Sequence, residues 1–399
     1  KSVSRTGFFL IGFFNIELVI LRSFSRFLST IAKRSGGFGL RCGFTLISFL
    51  SAFSLHAEVY KCQVAVGPYD DFNMMNNFAE DIAIATDGEL EFVMVPKGED
   101  QLVDLVDLVD SISDGDIPCG VGWTHYWDDY SPAGMLFGSP IAGAGLGIDQ
   151  FSFFSWFMYG GGKELYDEMW DEMGLNIKGH FILPKGPEAL GWFPEPIKSM
   201  DDFRKLVFRS PPGIPGQIYN DIGVESVAMS GDEIKAALES GMIDAAEWCC
   251  PKPDKGFGIS DYLKHYYLQG LHQVIVNMDF YINKDLYDTF SDSQKRIIEV
   301  ASNGLLMETY AYRIIEDGKA LKELVNNDGV KLHDTPTDYF TEYSGAANEA
   351  LTLLAEEDEF FAKVYSSMTE FAEIAIPYWS QAQFSNAQLG KAYAATLSD

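Results

Sequence analysis

The sequence predicts an α/β protein of two lobes facing each other across a ligand cleft, followed by a helical C-terminal part. Three observations predict it. Strand-like and helix-like runs alternate from residue 59 onward. The order of that alternation occurs twice. Past residue 280 the apolar residues fall at helical spacing instead.

An alternating run at 59–66 (VYKCQVAV) reads as the first strand. Gly67, Pro68, Tyr69, Asp70 and Asp71 make a turn, and a helical segment over 72–86 ends at Asp87-Gly88. A strand at 90–95, a helix at 99–113 and a strand at 117–123 complete the first unit. The second unit opens with a strand at 205–210 (KLVFRS) and turns through Pro211, Pro212 and Gly213 into a short helix, 215–222. A strand at 224–229, a helix at 232–239 and a strand at 243–248 (IDAAEW) follow. Laid on each other at Gly115 and Gly241, both units read helix, Gly, one residue, Ile, then a short strand rich in small residues. Alternation of this length indicates parallel sheets with helical crossovers. In such sheets ligands bind beyond the carboxyl ends of the strands. Those ends carry Trp123, Arg209, Glu247 and Trp248.

The three-residue repeat at 101–110 (QLVDLVDLVD) reads as part of the 99–113 helix, with an acidic, solvated stripe. Gly160–Gly162 reads as a turn opening a helix. Ser291 to Gln294 is a capping-box signature before a helical stretch at 297–324. The tail at 345–393 is expected to be helical and broken near Pro377. The expected organisation is a leader at 1–57, a first lobe at 58–183 and a second lobe at 184–277. Residues 278–399 then cross back to the first lobe and supply the helical part.

The leader has its own signature. Residues 43–55 (GFTLISFLSAFSL) are an apolar run too short to span a bilayer. The run follows Lys33, Arg34 and Arg41 and ends near the small residues Ser54 and Ala57. That is the pattern of a secretory signal peptide, so the rest of the chain is expected to be exported to the periplasm. Cys42 precedes the apolar run, which argues against a lipoprotein anchor. Residues 1–40 read as over-extended upstream translation, with a membrane anchor as the alternative.

The chain carries 29 basic and 58 acidic residues, a formal net charge of −29. So acidic a body repels phosphate backbones and anionic membrane surfaces, which argues against nucleic-acid binding. An anionic ligand would need a locally built positive site. Beyond the leader the cysteines are Cys62, Cys119, Cys249 and Cys250, at spacings that fit no zinc motif. An oxidising compartment permits a disulfide between Cys62 and Cys119. Neighbouring buried thiols is the alternative, which the sequence slightly favours. The sequence has no HExxH, GxSxG, Walker A or Rossmann glycine fingerprint, and its six histidines are scattered. Nothing in this pattern argues for catalysis.

Several segments together resemble the solute-binding subunits of TRAP transporters, the DctP-type family, and within it the branch of 2-oxo acid and lactate receptors. They are FGSP (137–140), WFMYGGGKEL (156–165), GWF (191–193), FRSPPG (208–213) and GDEIKAALESGMIDAAEW (231–248), extended by Pro251 and INKDLYD (282–288). The resemblance covers nearly all of 58–370. It implies a periplasmic-binding-protein-like fold and a receptor that passes a small organic carboxylate to membrane permease subunits.

The resemblance also implies site residues. The strand arginine that clamps the substrate carboxylate is Arg209, and a guanidinium suits that role because it stays charged and binds carboxylates bidentately. An interlobe salt bridge is the alternative for Arg209. The metal ligands of the related branch map to Glu247 and the backbone carbonyl of Trp248. A third ligand, a glutamine in the family pattern, is Glu188 here. Three negative charges, counting the substrate, would then favour Ca²⁺ over Na⁺ beside Arg209, and hard oxygen ligands suit calcium. Trp123, Trp192, Phe193 and Tyr69 are either pocket walls or core. Asp149 replaces a small polar amide of the family pattern, and His272 matches it; both are candidate substrate contacts.

Other readings remain at this point. Glu188 could pair with a cationic nitrogen of a zwitterionic substrate with no metal bound. The chain could be a sensory receptor, or, as the weakest reading, a periplasmic enzyme using Glu188 or Glu247. Some members of the family dimerise through C-terminal helices, and the helical tail here permits a homodimer.

Overall fold

The computed structural model describes residues 58–396 apart from residues 69, 212 and 230. The leader with its signal-peptide reading, and Tyr69, lie outside the described residues.

The first unit runs β1 (Glu58–Val64), α1 (Asp70–Ala85), β2 (Leu90–Val95), α2 (Leu108–Ser113) and β3 (Cys119–Gly122). Helices α3 (Ala133–Gly138), α4 (Gln150–Tyr159) and α5 (Gly162–Glu172) lead to β4 (Ile177–Pro184). The chain then enters a second sheet with β5 (Gly191–Phe193), α6 (Met200–Phe203), β6 (Val207–Ser210), α7 (Ile214–Asp221), β7 (Glu225–Ala228), α8 (Gly231–Ser240) and β8 (Ala245–Ala246). After α9 (Pro251–Phe257) and β9 (His265–Tyr267) it returns through β10 (Asn277–Asn283). Helices α10 (Lys284–Thr289) and α11 (Asp292–Asn326), strand β11 (Lys331–His333), and helices α12 (Thr337–Glu357) and α13 (Glu359–Ala395) complete it.

Two sheets result, ordered β2-β1-β3-β10-β4 and β11-β9-β5-β8-β6-β7. The internal correspondence read from the sequence is a shared topology. β1 lies between β2 and β3 and is parallel to both; β6 lies between β7 and β8 and is parallel to both. The sheets are nevertheless mixed, not wholly parallel. β10 runs antiparallel to β3 and β4, and β5 runs antiparallel to β8 and β9, because the chain changes sheets and comes back.

Alternation builds the first core. In β2, Leu90, Phe92 and Met94 are buried while Glu91 and Val93 face out. They pack with Val64, Phe78, Val121 and Phe280. Cys62 and Cys119 stand in register on β1 and β3 with Cα atoms 4.5 Å apart, and a disulfide joins them. In-register pairing puts them within bonding reach, which overturns the buried-thiol reading.

Helix α11 ties the two sheets together. The Ser291–Gln294 capping box opens it as the sequence suggests. Its Ile298 and Leu305 join the core of the first sheet, and Leu324 joins that of the second.

Two helical expectations are corrected. The 99–113 helix is confined to a 3₁₀ turn at Leu105–Asp107 and α2. A repeat of three matches three residues per turn better than 3.6, and Gln63 Oε1 takes the Leu102 amide at 2.6 Å. The tail does not break at Pro377, which lies inside α13. Proline removes one hydrogen bond there, and the residue four earlier, Glu373, is exposed where water can serve its carbonyl. Among the described residues no helix is long and apolar enough to cross a membrane.

Candidate functional site

Two segments carry the chain between the sheets, 185–190 outward and 268–276 back. They bond to each other: the Lys185 amide donates to Val276 O (2.6 Å) and the Glu188 amide to Gln273 O (3.0 Å). Glycines allow this approach. A Cβ on Gly186 would lie 2.4 Å from Val274 O, and one on Gly270 would lie 2.8 Å from the Leu190 nitrogen. Glu188 therefore stands on one crossing segment, just after a cis Gly186-Pro187 bond, and His272 on the other.

The second sheet brings the remaining charges. Arg209 is in β6, and Glu247 and Trp248 directly follow β8, its parallel neighbour. Glu188, Glu247 and His272 each offer a ligand atom, and these atoms lie within 4.8 Å of one another. All three residues are buried, as is Arg209.

The bonding within the cluster is asymmetric. Arg209 Nη1 donates to the Glu247 carboxylate and to its main-chain oxygen (3.0 Å), while Nε and Nη2 donate to Met229 O at 3.2 and 2.9 Å. The ion pair is thus within one lobe, not between lobes. Its guanidinium also lies 5.7 Å from the Trp248 ring centroid. His272 Nδ1 meets the Tyr219 hydroxyl at 3.1 Å. Its Nε2 has no hydrogen-bond partner and points at Glu247 Oε2 (3.6 Å) and Glu188 Oε2 (3.8 Å).

The two carboxyls are driven apart. Burial, then Cys249 and Glu247, push Glu188 well above the ordinary carboxyl range. Burial alone would raise Glu247 as well, but Arg209 and then His272 outweigh it and hold it below its ordinary value. Burial thus favours the neutral form of Glu188, while Arg209 favours the ionised form of Glu247.

Residues named from the sequence do not all join this cluster. Trp192 is fully buried, stacked on Tyr266 at 3.9 Å, with its N–H donated to Asp254 Oδ2 (2.8 Å). Phe193 is likewise core, between Phe203, Phe208 and Tyr267. Asp149 caps α4 through a capping box with Ser152, and its other oxygen accepts from Trp379 Nε1 at 2.8 Å. Its carboxylate is committed to joining α4 to α13. Trp123 is half-buried beside Tyr126, with ring centroids 5.2 Å apart.

Two contributors escaped the sequence reading. Tyr126, on the 3₁₀ turn after β3, packs against Trp123 and His125, and its hydroxyl is raised by burial first and then by the charge of Glu188. Asp254 supports the site from below, accepting from Trp192, Tyr266 and the Cys249 amide (2.9 Å). Burial raises it to about 7. No local pattern marks either residue, since each acts through contacts distant in sequence.

Residues 70–357 match the sequence profile of the bacterial extracellular solute-binding proteins, family 7, known as DctP. The chain belongs to that family. A curated relative, the monocarboxylate 2-oxoacid-binding periplasmic protein of Nostoc sp. (strain PCC 7120), is 27% identical over 297 residues, 73% of this chain and 78% of the relative. A TRAP transporter solute-binding protein from Bordetella bronchiseptica RB50, solved with calcium and picolinate, superposes with a TM-score of 0.75 at 23% identity, over 84% of this chain and 98% of that one. A TRAP periplasmic protein from Pseudoalteromonas atlantica T6c, solved with sodium and pyruvate, gives 0.73 at 24% identity over 84% and 99%. One from Colwellia psychrerythraea, solved with calcium and pyruvate, gives 0.73 at 22% over 84% and 100%. These likenesses establish the DctP fold, two α/β lobes about a cleft.

Proposed function

We propose that this DctP-family chain is a periplasmic receptor that captures a small 2-oxo or 2-hydroxy carboxylate and delivers it to the membrane subunits of a TRAP-type transporter. Arg209 receives the ligand carboxylate in this reading, exchanging part of its bonding to Glu247. Glu188, Glu247 and the main-chain carbonyl of Trp248 hold a cation, Ca²⁺ by preference or Na⁺, with His272 as a neighbouring donor. Tyr126 and Trp123 close on the ligand from the first lobe.

The observation that carries the proposal is the charge of the buried cluster. Two carboxyls lie together, Glu247 paired with Arg209 and Glu188 under the charge of Arg313 without a direct ion pair to it, and His272 Nε2 stands beside them without a hydrogen bond. An anion would be repelled from such a place unless a proton or a cation offsets the second carboxylate. Oxygen donors from two carboxylates and a peptide carbonyl suit a hard cation, so the donor set fits one. The ion would supply positive charge for the ligand's oxygens. The cation and carboxylate partners of the solved relatives support the same reading.

No catalysis is assigned to the chain in this proposal, and export rests on the leader's signal-peptide pattern. A homodimer through α13 is part of it too. Ile374, Tyr378, Leu389 and Tyr393 are exposed at spacings that share one helix face.

The test is a thermal-shift and titration series on residues 58–399 after chelator treatment, with pyruvate, lactate, picolinate and ectoine, each with and without Ca²⁺. A ligand that binds only the native state stabilises it by mass action. Calcium should raise both the melting temperature and the affinity for a 2-oxo or 2-hydroxy acid. A calcium-independent shift with the zwitterion ectoine would instead make Glu188 a substrate contact and defeat the cation reading.

A further inference from the structure

The segment that leaves β8 carries a second pair of cysteines. Cys249 and Cys250 immediately follow Trp248, both buried, with their Sγ atoms 2.6 Å apart. That is inside ordinary non-bonded contact, which is about 3.5–4.0 Å even between carbons. The structure leaves both as thiols. Yet it oxidises Cys62 and Cys119, and the family to which the chain belongs is extracellular. Thiols in that setting are exposed to disulfide donors.

We propose that Cys249 and Cys250 form a vicinal disulfide in the exported protein, a reversible redox clasp on the segment that carries Glu247 and Trp248. The bond forms by thiol–disulfide exchange with a disulfide-bearing donor. Both S–H bonds break, one S–S bond forms, and the two electrons and two protons leave with the donor as a pair of thiols.

The surroundings give the clasp something to hold. The Cys249 carbonyl accepts from the Ala189 amide (2.7 Å), next to Glu188, and the Cys249 amide donates to Asp254 Oδ1 (2.9 Å). Arg313 of α11 reaches Cys250 Sγ with Nη2 (2.7 Å) and Pro184 O with Nη1 (3.2 Å). The pair thus stands where the exit of β8, the first crossing segment and α11 meet.

Its role differs from that of Cys62–Cys119. Stabilisation by a disulfide grows with the length of chain it closes, so a bridge between neighbours adds little to global stability. It fixes one peptide unit instead. Neighbouring Cα atoms are about 3.8 Å apart, below the usual disulfide span of about 4.4–6.8 Å, and a bridge forced into that spacing is the more reducible. The clasp should therefore open before the inter-strand disulfide does.

The decisive experiment needs no ligand, so its outcome is independent of the proposed function. The chain is exported, purified without reductant, denatured, alkylated with iodoacetamide and digested for mass spectrometry. The proposal expects no alkylation at Cys62, Cys119, Cys249 or Cys250, and a peptide spanning 249–250 lighter than its dithiol form by two hydrogens. In a graded dithiothreitol series that peptide should become alkylated at a milder ratio than those of Cys62 and Cys119. Hydrogen exchange at 247–254 should then quicken in the native protein, and should not respond to reductant in Cys249→Ser/Cys250→Ser. Two alkylated thiols in the unreduced protein would overturn the proposal, as would either cysteine bonded to any other thiol. Opening only together with Cys62–Cys119 would overturn the clasp.

Discussion

Arg209→Ala has consequences for both folding and binding that can be worked out beforehand. The guanidinium makes two bonds to Met229 O and two to Glu247. Truncation removes all four and leaves Glu247, 1% exposed, without its counter-charge. Removing one partner of a buried pair costs about 3–5 kcal/mol. An unfolding entropy near 2.1 cal/mol/K per residue, over roughly 340 residues, gives about 0.7 kcal/mol per degree. The melting temperature should therefore fall by about 4–7 °C. Arg209→Met/Glu247→Gln leaves no stranded charge and should regain most of that loss. For the ligand, loss of a buried charge partner is worth about 2 kcal/mol or more, at least about 30-fold in affinity. Calorimetric melts and isothermal titration with pyruvate in calcium measure the two effects. An unchanged melting temperature would refute the stranded-charge argument, and unchanged pyruvate affinity would refute the role given to Arg209.

The inter-strand disulfide closes a separation of 57 residues, so Cys62→Ser/Cys119→Ser should lose about 4 kcal/mol on the chain-entropy relation, read as a fall in chemical-denaturation midpoint. Asp279 is buried and raised to about 8, with burial the largest cause, against about 3.9 when unfolded. A carboxyl with a raised folded pKa contributes stability that is full below about pH 4 and is lost as pH climbs toward 8. Asp279→Asn should therefore show a shallower decline of melting temperature across that window than the parent chain. A Cβ at Gly231 would lie 2.4 Å from two atoms of the Trp248 ring, so Gly231→Ala should cost about 1–3 kcal/mol and displace the tryptophan, seen as a shift in its fluorescence.

What the sequence disclosed follows from range. Alternation in LEFVMV and the Ser291–Gln294 box are local signals, and both elements are where those signals put them. The doubled βαβ order was legible as well, because each unit is contiguous. The antiparallel joins of β10 and β5 were not, since they depend on where the chain re-enters a sheet. The same division runs through the site. Arg209, Glu247 and Trp248 lie at strand ends in one contiguous unit, and Glu188 stood out against the family pattern. Trp192 and Asp149 are matched by type and position, but their polar atoms are taken by Asp254, Ser152 and Trp379. No local pattern could show those partners. Tyr126 and Asp254 had no signal at all beyond their residue types.

Glu188 is the residue through which the choice of cation can be argued. The chain's net charge of −29 is spread over a surface where salt screens beyond about 8–10 Å. The nearby buried charges decide what binds. With Glu188 ionised, and with the Arg313 charge that also acts on it offset by its own partner Asp317, the two carboxylates and an anionic ligand present three negative charges to Arg209. A divalent ion brings the positive total to three and leaves the site neutral; a monovalent ion leaves one negative charge buried, a costly state. Replacing Glu188 by glutamine keeps an oxygen donor but removes the negative charge of the ionised carboxylate. The balance then closes with a monovalent ion. Glu188→Gln should thus bind a 2-oxo acid in sodium after chelation, where the proposed site of the parent chain should require calcium. Titrations of both proteins with pyruvate in sodium and in calcium test this. The same calcium dependence in both would mean that Glu188 does not set the charge of the ion, and the cation would have to be held without it.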